Sequence, residues 1–262
     1  MKELINIDKL LIGYGPKNEG CAIMAPISTV VYEGEFICLI GENGKGKSTL
    51  LKTLSGNLEA LSGMVTINGR NLSDYDNQEL STQLSLVLTD KLSIGLITVF
   101  DLVAFGRYPF TNWLAKISKK DDSIITESLK ACGIEGLANR YFGNLSDGEK
   151  QKVLIARAIA QQTPIIILDE PLNHLDLINK VEIFSLLQQL CRTTNKTIII
   201  STHQVELALQ AADQLWLITN DHQLSVSTPD DAITNGVFDK AFKSDKVTFD
   251  KQSKTFQLRT NL

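Results

Sequence analysis

Apolar positions along the chain fall into short runs of two kinds. Phe36–Ile40, Ile165–Leu168 and Ile198–Ile200 are continuous and strand-sized, the pattern of strands buried on both faces. Elsewhere apolar residues recur at helical spacing, which predicts helices over Asp121–Cys132, closed by Gly133, and over Ser146–Gln161, Leu177–Cys191 and Val205–Ala212. Thr98-x-x-Asp101 offers a capping pair for a further helix that ends near Arg107, with Pro109 as its stop. The first third reads as strands and turns: Glu3–Leu11, Ala22–Tyr32, Phe36–Ile40 after Glu33-Gly34, Met64–Asn68 and Leu84–Leu88. A glycine-rich loop after Phe36–Ile40 opens into a helix near Lys47–Leu54. In the second half, strands Ile165–Leu168, Thr197–Ser201 and Leu215–Thr219 alternate with the helices, which predicts a parallel sheet covered on both faces. Residues 229–262 read as a small helix-plus-hairpin appendage.

Composition narrows the class without naming it. The 262 residues are 43% hydrophobic and 21% charged, an ordinary globular composition. The formal net charge of −4 argues against a binder that relies on phosphate attraction, so no nucleic-acid partner is expected. The four cysteines, Cys21, Cys38, Cys132 and Cys191, are too scattered for a zinc or redox pair and are expected to be buried thiols in a reducing compartment. Spanning a bilayer takes about 20 apolar residues, far more than any run here, so service to a membrane would be from its side.

Two motifs carry nucleotide chemistry. Gly41-Glu42-Asn43-Gly44-Lys45-Gly46-Lys47-Ser48-Thr49 fits G-x-x-x-x-G-K-[ST], the Walker A pattern. Its glycines let the backbone wrap phosphates, and the following helix adds the positive end of its dipole. Lys47 supplies a full charge, and the Ser48 hydroxyl is a magnesium ligand. Far downstream, Ile165-Ile166-Ile167-Leu168-Asp169-Glu170 is a buried strand whose acids emerge at its C-terminal end, where open α/β sheets bind ligands. Asp169 is placed to hold magnesium and Glu170 to deprotonate the attacking water.

Leu145-Ser146-Asp147-Gly148-Glu149-Lys150-Gln151 chooses among P-loop proteins. It resembles the LSGGQ-type signature of ATP-binding cassette (ABC) proteins, and Ser146-x-x-Glu149 is also a capping box at a helix start. In register with it, Leu175-Asp176 resembles the D-loop and His203 resembles the switch histidine that contacts the γ-phosphate. Tyr14 resembles the aromatic that stacks on adenine. The stretch 98–110, ending Gly106-Arg107-Tyr108-Pro109-Phe110, resembles ATPase subunits of importers for iron–siderophore complexes, haem and cobalamin. The resemblance implies an α/β fold with a P-loop NTPase (RecA-like) core, an N-terminal antiparallel β region and a helical insert near residues 90–162, all in a single domain of 1–262. It implies ATP and Mg2+ as cofactors. It also implies two copies head to tail, each ATP lying between Lys47 of one copy and Ser146 and the Gly148 backbone of the other. Further implied partners are integral membrane permease subunits and, indirectly, a substrate-binding protein, with the chain peripheral at the cytoplasmic face of the membrane.

Two positions depart from the family. Where members carry a glutamine after the strand Leu84–Leu88, this chain has Thr89 and Asp90, so Thr89 is the expected metal contact there. Asp147 replaces a signature glycine. A carboxylate about 6 Å from a phosphate charge, at an effective dielectric near 20, costs roughly 3 kcal/mol per unit charge, so Asp147 is expected to point away from the nucleotide. A soluble ABC ATPase of cofactor assembly or nucleic-acid maintenance, and a binding-only regulatory module, share the same motifs and stand as alternatives.

Overall fold

The computed structural model describes residues 2–17, 19–88, 96–111, 116–242, 247–251 and 253–258. A six-stranded sheet runs through the middle in the order Leu224–Ser227, Gln214–Ile218, Phe36–Ile40, Thr197–Thr202, Ile165–Leu168, Leu84–Val87. Every neighbouring pair is parallel except Leu224–Ser227 with Gln214–Ile218, so the expected parallel sheet carries one antiparallel edge strand. Alternate residues of the central strands feed two separate cores. Phe36, Cys38, Ile40, Ile166, Leu168, Ile198 and Ile200 face one, with the helices of the second half. Ile37, Leu39, Ile165, Ile167 and Ile199 face the other. A period-2 strand delivers side chains to both faces, which is why these runs are continuously apolar.

The second core lies under an antiparallel sheet in the order Ile27–Tyr32, Glu3–Leu11, Ser62–Ile67, Arg70–Asn71, which is the expected N-terminal β region. The run expected as one strand over Ala22–Tyr32 is broken: Cys21–Ala22 pairs with Gly13–Tyr14, and the strand resumes at Ile27, beyond Pro26. Proline has no N–H for the ladder, so the break falls beside it. Cys38, Cys132 and Cys191 are buried as expected, but Cys21 is exposed on that short hairpin.

Helices Val99–Ala104, Lys119–Ala131 and Asp147–Ala160 pack together on the first core's side. Pro109 does not stop a helix as expected. The α-helix ends at Ala104, and Pro109 lies inside a 3₁₀ segment, Phe105–Phe110. Arg107 explains that segment. Its buried guanidinium donates from Nε to Asp121 at 2.9 Å and from Nη1 to the Ala160 carbonyl at 2.7 Å, and stacks over Phe110 at 4.3 Å. Three chain segments are thereby tied at one cation. A polar helix, Asn77–Gln83, capped by Asp76 and Glu79, precedes Leu84–Val87. The tail forms helices Pro229–Thr234 and Val237–Ala241 and the hairpin Val247–Asp250 with Thr255–Leu258. Rings of Phe238, Phe242, Phe249 and Phe256 pack, stacked or edge-on, where hairpin and helices meet. Among the described residues, no helix is long and apolar enough to cross a membrane.

Candidate functional site: a phosphate cradle facing paired acids

Parallel register brings three strand ends together. Ile40 pairs with Thr202, and Leu168 with Ile200, so Gly41, Asp169 and His203 all emerge at the C-terminal edge of the sheet. The loop from Gly41 turns through Gly44 (φ 77°) and Gly46 (φ 99°) into the helix Lys47–Leu54. Both glycines use left-handed backbone, and a Cβ at Gly46 would fall 2.8 Å from Ile23. Gly46 has no side chain with which to cap the helix, so the first-turn N–H groups remain outward donors. They border a cavity of about 400 Å³ lined by Asn43, Gly44, Gly46, Lys47, Ser48 and Thr49, and across from them by Tyr14, Ile23 and Glu170. Tyr14 is well exposed, and its hydroxyl lies 3.2 Å from Thr49 Oγ1, so the ring flanks the cradle.

Lys47 is the electrostatic centre. Its ammonium donates to the Gly41 and Glu42 carbonyls at 2.9 and 3.2 Å, and lies 3.3 Å from His203 Nε2 and 3.4 Å from Glu170 Oε1. Burial pulls its pKa below the usual lysine range, and Glu170 and Asp169 offset only part of that. Lys45 instead reaches out of the loop to the Asn220 carbonyl at 3.4 Å.

Glu170 sits opposite in left-handed backbone (φ 46°). Oε1 lies 2.8 Å from His203 Nε2, and Oε2 accepts from Asn173. Burial alone would raise its pKa, but the Asn173 bond and the neighbouring His203 and Lys47 outweigh it, holding the carboxyl below the usual glutamate range. Asp169 is buried, with its N–H on the Val87 carbonyl. Ser201, fully buried on the next strand, donates to Asp169 Oδ1 at 2.7 Å and accepts the Glu170 N–H at 2.8 Å. Sequence reading missed Ser201, Asn173 and Ile23. The first two flank recognised motifs, but only parallel register and the turn after Glu170 aim them at the acids.

Ser146 and Gly148 are not among the residues lining this cavity. Ser146 caps the helix Asp147–Ala160 in a reciprocal box with Glu149. Asp147 is exposed, 4.0 Å from Lys150. Thr89 and Asp90 lie outside the described residues.

A lysine-bearing phosphate cradle facing adjacent strand-end carboxylates defines a P-loop nucleoside triphosphatase. Comparison with known proteins resolves the class further. Residues 24–173 match the family described as ABC transporter. The ABC transporter ATP-binding protein MJ0873 of Methanocaldococcus jannaschii is 34% identical over 98% of this chain and 88% of its own length. The ferric enterobactin transport ATP-binding protein FepC of Escherichia coli is 30% identical over 90% of this chain and 85% of its own. Among solved structures, an inward-facing ABC transporter provisionally assigned to the metal-chelate type superposes with a TM-score of 0.81 at 27% identity, covering 98% of this chain and 96% of that one. The dimeric cassette MJ0796 bound to ADP and phosphate superposes with a TM-score of 0.74 at 25% identity, covering 86% and 99%. The chain belongs to the ABC transporter family and is one of its ATP-binding, ATP-hydrolysing cassettes.

Proposed function

We propose that the chain powers an importer of an iron–siderophore complex, haem or cobalamin, working as a pair of copies on membrane permease subunits at the cytoplasmic face. The observation that carries the hydrolytic reading is the triangle of Lys47, Glu170 and His203, within 3.4 Å of one another at the mouth of the cradle. Nucleotide phosphates entering the cradle draw Lys47 from the Gly41 and Glu42 carbonyls, leaving Glu170 to orient and deprotonate water. His203 on the same carboxylate is placed to sense the γ-phosphate. Tyr14 offers a ring to the adenine, and Gly41 to Thr49 supply the loop that wraps the phosphates.

Magnesium suits the donors present. Ser48 lines the cradle, and Asp169, buried at the adjoining strand end and close enough to act on Lys47, offers a second hard oxygen. Magnesium is ordinarily held by one or two such ligands, phosphates and water. Bound there, it would neutralise charge developing on the phosphates. Thr89 remains the proposed third contact.

The second copy is supported by the position of the signature. Ser146 and Gly148 lie off their own chain's cavity, and the structurally similar MJ0796 cassette is dimeric. Each ATP is therefore assigned to Lys47 of one copy and to Ser146 and the Gly148 backbone of the other. The iron-complex substrate is supported by relatives such as FepC. It would be delivered by a substrate-binding protein and never touch this chain.

Mixing two inactive variants tests the shared site. Ser146→Arg and Lys47→Ala, one per copy, put both lesions in one site of a mixed dimer and leave the other intact, so ATPase activity should partly return. Mixed dimers with no activity would argue against the arrangement, or for obligatory coupling of the two sites. In membrane vesicles carrying the cognate permease, uptake of a ferric siderophore, haem or cobalamin should require Lys47; uptake of none of them would overturn the substrate class.

A further inference from the structure

The helix Asp147–Ala160, which begins at the signature, lies beside the helix Leu177–Thr194, which begins after Asp176. Gly148 opposes Asn179, and one turn further on Lys152 bridges Glu182 at 2.8 Å. Steps of three and four residues each advance a helix by about one turn, so the two helices keep register.

Gly148 is a place of close approach. It is buried and is not among the residues with positive φ, so a larger residue meets no backbone penalty there. Space is the constraint: a Cβ at Gly148 would fall 2.5 Å from Asn179 Oδ1 and 2.8 Å from its Cγ. A hydrogen bond restrains the amide from swinging aside. Asn179 donates its main-chain N–H to Asp176 Oδ1 at 2.8 Å and Nδ2 to Oδ2 at 2.9 Å. Asp176 thus caps the helix through Oδ1 and holds through Oδ2 the amide that packs on the signature glycine.

We infer that Asn179 is a positioning residue that ties the start of the signature helix to Asp176, so that Ser146 meets the second copy from a fixed position. The missing side chain of Gly148 then serves a contact within its own chain. This inference rests on the two-copy reading above.

Size exchange tests it, read as ATP-dependent dimerisation by light scattering in a Glu170→Gln background. Gly148→Ala should weaken the dimer roughly tenfold or more, the scale of overpacking a closed contact. Asn179→Ala should cost less. The double variant should recover most of the loss, because the added methyl takes the vacated space. Nucleotide binding by the separate chain should stay unchanged in Asn179→Ala and Asn179→Asp, which a general folding defect would not allow. A double variant as weak as Gly148→Ala, or a Gly148→Ala dimer of full strength, would overturn the inference. Asn179→Asp keeps the shape but replaces the Nδ2 donor by a carboxylate facing Asp176; it should weaken the dimer, and an unaltered dimer would also overturn it. Ser146→Arg separates the two failures. If Ser146→Arg leaves the dimer intact, Ser146 does not meet the neighbour's ATP and the shared-site reading falls; if it abolishes the dimer while the double variant is not rescued, only the role of Asn179 falls.

Discussion

Ser201→Ala removes one oxygen and tests how the acids are held. The hydroxyl has one proton to give and lone pairs to receive, and it uses both sides: to Asp169 Oδ1 at 2.7 Å and from the Glu170 N–H at 2.8 Å. A hydrogen bond to a charged group contributes about 1.5–3 kcal/mol, and a donor left without that acceptor costs about 1–3 kcal/mol. The terms share an atom and do not add, so a stability loss of about 2–4 kcal/mol is expected. The same bond restrains Glu170 at φ 46°, a conformation that a non-glycine residue holds only when its surroundings demand it. Displacement of a positioned group by about 1 Å can cost about 100-fold in rate, so kcat should fall roughly 100-fold. Ser201 does not line the cradle, and ATP affinity should change less than about threefold, well under the energy of one good hydrogen bond. Urea unfolding, steady-state ATPase kinetics and nucleotide titration on one preparation measure all three quantities. Wild-type kcat at wild-type stability would refute the reasoning.

Arg107→Ala removes the charged partner of Asp121 Oδ1 while Oδ2 keeps its bonds from Ser118, so it should cost about 3 kcal/mol in urea unfolding, the low end for a broken buried pair. The Asp121 pKa lies below the usual aspartate range, chiefly because Ser118 donates to it and then because of Arg107, against the opposing effect of burial. The stability it contributes is therefore complete above the ordinary aspartate pKa and lost as pH falls through the lower folded value; Ser118→Ala should flatten that acid-side fall in unfolding curves taken at a series of pH values. Tyr14→Ala should weaken ATP binding about tenfold, the scale of base–aromatic stacking, whereas Tyr14→Phe keeps the ring and should bind within about threefold of wild type in the same fluorescence titration.

Phe36–Ile40 and Ile165–Leu168 were legible as sheet centre because a strand buried on both faces has no polar positions to spare. Asn77–Gln83 was not legible, since its sequence NQELSTQ has no apolar stripe; its signal was the cap pair Asp76 and Glu79. Pro109 misled in the other direction. Proline is a sound helix stop in isolation, but the tertiary anchor at Arg107 holds Phe105–Phe110 in 3₁₀ form around it. At the site, the residues read from motifs carry their chemistry in local spacing: Gly41 to Thr49, Asp169 with Glu170, and Ser146 to Gly148. Ser201 and Asn179 act across strand register and helix contact, and a sequence does not display those distances. Gly148 illustrates the point. Its place in a signature was readable, but the amide that fills the space beside it comes from a different helix.

The central claim is that Glu170 is the base of an ATP site shared by two copies. Glu170→Gln keeps the size of the side chain and an oxygen to face Lys47 and His203, but it cannot accept the proton. A positioned base is worth about 10²–10⁴ in rate. ATPase turnover measured beside light scattering should therefore fall by that factor while ATP drives the chain into a stable dimer. Near-normal turnover, or ATP bound to a chain that stays monomeric, would contradict the account.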